Sequence, residues 1–289
     1  PSIGKCTSII ALDLKHNAIS DLPRELILME SIGSVELLGN PVSLVLNASN
    51  MALGRGVGNY DIPAFIQQHL SRTIKVLDLS NNQISKIGDS VSKFKHLQTL
   101  ILSNNNLKPD RLSWRIVNLH GVLDRFLFEG NPVSTYLDWS NQGGFKRGYK
   151  NGERSMRNAV AFLSVFFAPS IRSLNLSNND FTKPMVEDML YDLTGLQSLD
   201  LSMNKQIKSG PAAPLRFNLS ERLVDLQFLN LTHCKRIQGI DLDDLVEMER
   251  RLLYDNGRFY LKGVGIISFV SMIPGHAREK AMFPTHILS

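Results

Sequence analysis

Seven histidines, two cysteines and the acid pair Asp243-Asp244 are the residues from which a catalytic or metal centre would be built in this 289-residue chain. His16, His69, His96, His120, His233, His276 and His286 are scattered, and none stands at a metal-ligand spacing from another histidine or a cysteine. The pair His233-Cys234 invites a thiol–imidazole reading, but neighbouring residues of a strand point to opposite faces. The stretch GRGVG (54–58) lacks the Lys-Ser/Thr that completes a phosphate-binding loop. Asp243 and Asp244 read most simply as the first turn of a helix. No catalytic, cofactor-binding or metal-ligating residue and no cofactor is assigned, and the chain is expected not to be an enzyme.

The order in the sequence lies in its leucines and asparagines. Ile74, Leu77, Leu79, Asn82 and Ile84 sit at offsets 0, 3, 5, 8 and 10, and Leu97, Leu100, Leu102, Asn105 and Leu107 repeat them 23 residues later. The same spacing gives coils at Ile9–Ile19 (Asn17), Ile32–Val42 (Asn40), Leu123–Val133 (Asn131), Ile171–Phe181 (Asn179), Leu196–Asn204 and Leu226–Cys234. In each, the L-x-L core reads as a short strand with leucines inward and the alternate side chains outward. The asparagine is buried after the strand, which is tolerable only if its amide hydrogen-bonds backbone groups of adjacent coils.

A longer period overlies this one. The pentapeptide GNPVS occurs at 39–43 and again at 130–134, and SLVLNASN (43–50) lies over STYLDWSN (134–141) at the same offset of 91. The proline removes a donor and fixes φ, ending the regular continuation. After each copy the phase breaks over about 46–68 and 137–165, two excursions that equivalent positions in a repeat place on one side of a solenoid. Past Cys234 the pattern decays. DLDDLVEMERRLL (241–253) has helical spacing, and Tyr254 to Ser289 is aromatic and partly apolar. The expected organisation is a solenoid over 1–240, followed at 241–289 by a C-terminal cap or the start of a further domain.

L-x-x-L-x-L-x-x-N-x-L, present eight times, resembles the leucine-rich-repeat family. The LPxxL spacing and 23-residue coils are similar to its typical or receptor-like subfamilies, and the GNPVS triplets resemble large leucine-rich-repeat membrane proteins of protists or oomycetes. The resemblance implies an α/β solenoid: a curved parallel sheet on the concave face, with helical, 3₁₀ and irregular segments on the convex one. It also implies that Cys234, in the asparagine slot, is a buried ladder residue with Asn17, Asn40, Asn82, Asn105, Asn131, Asn179 and Asn204.

Outward strand positions are the natural binding surface. Asp13, Glu36, Leu38, Asp78, Ile101, Arg125, Leu127, Glu129, Asn175, Asp200, Phe228 and Asn230 are the candidate partner contacts, a polar face with apolar points that suits a protein or peptide ligand. Many of its Asp and Ser residues also belong to the repeat wording LDLS and LNLS. A basic stretch in the second excursion, Lys146, Arg147, Lys150, Arg154 and Arg157, offers a site for an acidic partner or anionic headgroups, or is a solvated loop. A net charge of +5 with 20% charged residues is far from a nucleic-acid-binding composition, so no nucleic-acid partner is expected. Asn47, Asn175, Asn218 and Asn230 open Asn-x-Ser/Thr triplets, which lean toward a membrane-associated or extracellular setting over a cytoplasmic one. The most apolar run, GVGIISFVSMI (263–273), is too short to span a bilayer. The chain starts in phase with a repeat and reads as a fragment, so membrane association would come through parts of the protein beyond it. The function implied is a recognition module of a larger, membrane-associated, receptor-like signalling protein. An intracellular scaffold or regulatory subunit, of the phosphatase, GTPase or splicing-assembly type, is the alternative.

Overall fold

The computed structural model describes residues 3, 6, 8–29, 32–54, 61–146, 151–209, 222–223, 225–226, 228–231, 234, 236–237, 252–255, 258–261 and 265–268. The chain forms two compact units, Pro1–Ser134 and Thr135–Ser289.

The first unit holds β1 (Ala11–Asp13), α1 (Arg24–Ile27), β2 (Ser34–Glu36), β3 (Val45–Asn47), α2 (Ala64–His69), β4 (Val76–Asp78), β5 (Thr99–Ile101) and β6 (Arg125–Leu127). Strands β1 and β2 make one parallel sheet, and β3, β4, β5 and β6 make a second. Short 3₁₀ turns at Pro41–Ser43, Asp89–Lys93, Trp114–Leu119 and Pro132–Ser134 supply most of the return path. The middle residue of every strand in the second sheet is buried (Leu46, Leu77, Leu100, Phe126), as are Ala48, Leu79, Leu102 and Phe128 two residues on. Burying a leucine-sized side chain is worth about 1.5–3 kcal/mol, so each coil is held by the next and none is stable alone.

The second unit holds β7 (Tyr136–Asp138), α3 (Gly152–Phe162), β8 (Ser173–Asn175), α4 (Lys183–Asp192), β9 (Ser198–Asp200), β10 (Lys208–Ser209), β11 (Phe228–Asn230), β12 (Arg236–Ile237), β13 (Leu252–Asp255), β14 (Arg258–Leu261) and β15 (Gly265–Ser268). Its main sheet runs β13-β14-β15-β11-β9-β8-β7. Pairing is parallel from β7 to β15 and antiparallel across β15-β14-β13. The short strands β10 and β12 pair separately. Helix α3 buries Met156, Ala159 and Phe162 at helical spacing and runs on through a π turn, Leu163–Phe167, which buries Leu163 and Phe167 as well.

Two expectations are corrected here, and one stretch gains a structure. Residues 46–68 and 137–165 are not excursions from the start: each opens within a strand, β3 or β7, that begins a new sheet. Residues 252–253, placed at the end of a helix, belong to β13, while 241–251 lie outside the described residues. Within 263–273, residues 265–268 form β15, which pairs beside the last repeat strand, β11.

The backbone supplies a better repeat marker than the leucines. Immediately before the ladder position the chain turns left-handed in nine coils among the described residues: at His16, Gly39, Asn50, Asn81, Asn104, Gly130, Asn141, Asn178 and Met203. Asparagine tolerates this conformation better than most residues and glycine best. Glycine is needed at 39 and 130 for a second reason. A Cβ there would stand 2.5 Å from Nδ1 of His16 or 2.4 Å from Oδ1 of Asn104, the left-handed residues of the preceding coils.

Candidate binding faces and their ladders

All eight predicted ladder residues bond backbone groups, and six asparagines stitch their own coil to the one before. Asn82 Nδ2 donates to the carbonyls of Ala48 and Leu79, both at 2.9 Å, while its Oδ1 accepts the Leu53 N–H at 3.0 Å. Asn105 does the same with Leu79, Leu102 and Ile84, and Asn131 with Leu102, Phe128 and Leu107. Asn40, Asn179 and Asn204 repeat the arrangement. Asn17 is exposed and reaches only Leu14 and Lys15 of its own coil. Cys234 is buried, and its Sγ donates to the Leu201 carbonyl at 3.2 Å. Burial pushes that thiol up to about 11, which keeps it protonated and a poor nucleophile.

In β3 and β7 the equivalent slots hold Met51 and Gln142. Neither strand has a preceding partner in its sheet, so its sheet offers no earlier strand for an asparagine to stitch to. Met51 and Gln142 instead give their own N–H groups to Asn82 and Asn179 of the following coil. These two coils escape an asparagine-based repeat search. Their left-handed Asn50 and Asn141, each preceded by serine as in Ser80-Asn81, are the signal that finds them.

The outward strand residues form rows. On the β3–β6 sheet, register aligns Val45, Val76, Thr99 and Arg125 in one row and Asn47, Asp78, Ile101 and Leu127 in the next. Ile101 and Leu127 are direct partners, half-buried, beside exposed Arg125 and Glu129. Glu129 accepts the Ser103 hydroxyl at 2.9 Å. On β1 and β2, Asp13 and Glu36 pair across the strands, Lys15 lies 3.7 Å from Asp13, and Leu38 is 56% exposed.

On the β7–β11 face the rows are Tyr136, Ser173, Ser198, Phe228 and Asp138, Asn175, Asp200, Asn230. The second row is bonded internally. Asn175 donates to Asp138 at 3.2 Å and Asn230 to Asp200 at 3.0 Å. A further oxygen of Asp138, Asn175 and Asp200 accepts the backbone N–H two residues on, and Asp13, Asn47 and Asp78 do the same in the first unit. These acids and amides cap the strand ends, which accounts for the recurring LDLS and LNLS wording.

In the basic stretch, Lys146 Nζ donates to the carbonyl and, at 3.2 Å, to the side-chain oxygen of Asn178. Arg157 pairs with Glu153 one turn earlier at 2.8 Å, and Arg154 is exposed on α3. Arg147, Lys150, Asn218, His233, Asp243 and Asp244 lie outside the described residues. Among the described residues no group of three or more His, Cys, Asp or Glu side chains is placed to hold a metal ion, and no helix is long and apolar enough to cross a membrane.

Parallel coils of this geometry, most of them stitched to the coil before by a buried asparagine, are the repeating unit of a solenoid. Leucine-rich-repeat profiles match two stretches of this chain. The family profile for leucine-rich repeats in two copies matches residues 72–113, and a second leucine-rich-repeat profile matches residues 5–22. The chain is similar to Tsukushi of Gallus gallus, at 27% identity over 221 residues that cover 75% of this chain and 53% of that protein, so it spans about half the relative's length. Among solved structures it is similar to a leucine-rich-repeat protein of Leptospira interrogans, at 18% identity, 80% of this chain, 68% of that one and a TM-score of 0.21. It is also similar to a chain in an octameric complex of Latrophilin 3, Unc5D and FLRT2 (17% identity, 78% of this chain, 54% of that one, TM-score 0.22).

Proposed function

We propose that the chain is a non-enzymatic recognition module whose partner is a protein or peptide, and that the β3–β6 face of the first unit carries the main contact. The observation behind this reading is the pair Ile101–Leu127. Two aliphatic side chains stand opposite each other across adjacent strands, left partly open, with Val76 on a neighbouring strand and Arg125 and Glu129 at the rim. An apolar centre with a polar surround is the usual anatomy of a binding hot spot. On the second unit's face the row Asp138, Asn175, Asp200 and Asn230 is bonded internally, and the aromatic residues Tyr136 and Phe228 of the other row are kept apart by Ser173 and Ser198. Asp13, Glu36, Leu38, Phe228 and Asn230 are secondary contacts in this proposal, and a nucleic-acid partner is not part of it. The setting we infer is a receptor-like protein at a membrane, with residues 1–240 as its solenoid and 241–289 closing it.

The test is selection of extended peptides from a random display library on the intact protein, followed by affinity measurement on variants. Ile101→Glu and Leu127→Glu are expected to weaken the selected peptides at least about tenfold, which corresponds to about 1.4 kcal/mol. Ser198→Glu, on the second unit's face, is expected to leave them unchanged. Peptides that ignore Ile101→Glu but are lost with Ser198→Glu would move the site to the other unit.

A further inference from the structure

We propose that Asn47 is a site of N-linked glycosylation, and that among the triplets the structure describes it is the one the fold presents for a glycan. The three differ in what their amides already do. Asn47 is exposed on β3, the terminal strand of its sheet, and its Oδ1 accepts both the backbone N–H of Ser49 at 2.9 Å and the Ser49 hydroxyl at 2.7 Å. The hydroxyl that completes the Asn-x-Ser triplet is therefore bonded to the amide it serves, and Nδ2 donates to no protein acceptor among the described residues. Asn175 sits between β7 and β9, half-buried, with Nδ2 committed to Asp138 and Oδ1 to the Ser177 N–H. Asn230 lies between β9 and β15, with Nδ2 committed to Asp200. A sugar on either would break a bond of the polar row and stand in the middle of the sheet.

The co-reactant is an oligosaccharide carried on a polyprenyl diphosphate, the donor used by secretory-pathway transferases. The Asn47 Nδ2–C1 bond forms as the C1–O bond to the diphosphate breaks. The lipid diphosphate leaves with that electron pair, and the Nδ2 proton passes to a base. Nothing is oxidised or reduced. The glycan lies beside Leu44 and Val45, 44% and 50% exposed, on the one side of β3 that no strand covers. An unpaired apolar strand edge is a template for pairing with another chain, and a hydrophilic branch there blocks it.

The test uses the protein isolated from its native host. Peptide-N-glycosidase treatment in heavy-oxygen water converts each occupied asparagine to labelled aspartate, and peptide mass mapping reads the position. Label at 47, with Asn175 and Asn230 unconverted, is the expected result, and an unconverted Asn47 overturns the proposal. In a secreted recombinant form, Ser49→Ala is expected to remove one glycan's mass with no loss of secretion, while Ser177→Ala leaves the mass unchanged. Unchanged mass on Ser49→Ala overturns it equally. Peptide binding at Ile101 and Leu127 is read separately, so either proposal fails without the other.

Discussion

The two GNPVS pentapeptides lead into coils that solve one packing problem in opposite ways. After the first, β3 puts Ala48 into the inward slot and fills the space from elsewhere, with Leu53 on the turn and Phe65, Ile66 and Leu70 on and just past the six-residue helix α2. After the second, β7 puts Trp139 into the same slot. Its ring lies 6.0 Å from Phe145 and 6.5 Å from Phe167 in edge-on contacts, and Phe145 meets Phe181 at 5.4 Å. Phe145 stands where Leu53 stands, since its carbonyl takes the Asp180 N–H as Leu53's takes that of Gln83. The larger core comes with the larger helix: α3 has eleven residues and needs its π turn to bring Phe167 onto the tryptophan. Backbone bonding is the shared part and side-chain volume the free part, as in any close-packed interior where total volume must be kept.

The largest break in that comparison is to exchange the inward residues. Trp139→Ala is expected to cost about 3–5 kcal/mol, the range for deleting a buried large aromatic. Ala48→Trp has no matching space and should destabilise by overpacking, typically about 1–3 kcal/mol and more where the backbone must move. Urea midpoints by circular dichroism read both. If Ala48→Trp were neutral, the first coil would hold room that its 0% exposed neighbours deny.

The ladder gives the next largest effect. Asn179→Ala strands the Trp139 and Leu176 carbonyls and the Gln142 N–H, at about 1–3 kcal/mol for each buried group left unpaired. Gln142→Ala, in the slot of the opening coil, loses only a half-buried bond to the Ser140 carbonyl and is expected to cost under about 1 kcal/mol. Equal costs at the two positions would mean that the opening coil is stitched backward after all. Gly39→Ala should follow. It combines φ of +82° with a Cβ 2.5 Å from the His16 ring, so a loss of about 1–2 kcal/mol is expected. Adding His16→Ala should return the part due to the clash and leave the conformational part, which a two-by-two cycle of thermal midpoints separates.

How far the sequence carries this picture depends on what each residue does. Leu77, Leu79, Asn82 and Ile84 are legible because a parallel coil needs such types at those offsets: the inward slots must be apolar, and the buried ladder slot needs a side-chain donor, an amide at Asn82 and a thiol at Cys234. The coils at β3 and β7 are not legible by the same rule, because Met51 and Gln142 follow strands that open their sheets and Ala48 and Trp139 differ widely in size at one inward slot. The antiparallel run β15-β14-β13 follows no repeat at all, and its residues carry no periodic mark of the pairing. At the candidate faces, alternation correctly separates inward from outward residues. It does not distinguish Asp78 and Asp200, whose side chains hold their own turns, from Ile101 and Leu127, whose aliphatic side chains stand partly open. That distinction needs the register and the hydrogen bonds.

The smallest expected effect sharpens the same contrast through pH. Helix α2 ends on His69, whose ring lies 5.0 Å from Phe65 and whose buried Nε2 finds no acceptor, whereas α3 contains no histidine. Burial pulls the imidazole below its ordinary 6.5, with Glu36 acting weakly in the other direction. Because the folded value is the lower one, the unfolded chain binds more protons between the two values. The stability that depends on neutral His69 is complete above 6.5 and is lost as pH falls through the folded value. Asp61 and Asp89 are separated from this reading by sign and direction: a raised carboxylate adds stability as pH falls, opposite to His69, and a lowered one titrates further from the window. Burial raises Asp61, whereas for Asp89 burial is outweighed by bonds from Ser113 and Arg115 that lower it. Thermal midpoints of the intact chain between about pH 7.5 and 5.5 should therefore decline, and His69→Leu should flatten the decline while His96→Leu, on an exposed position, leaves it in place. A slope that survives His69→Leu would assign the titration to another histidine and remove this difference between the two coils.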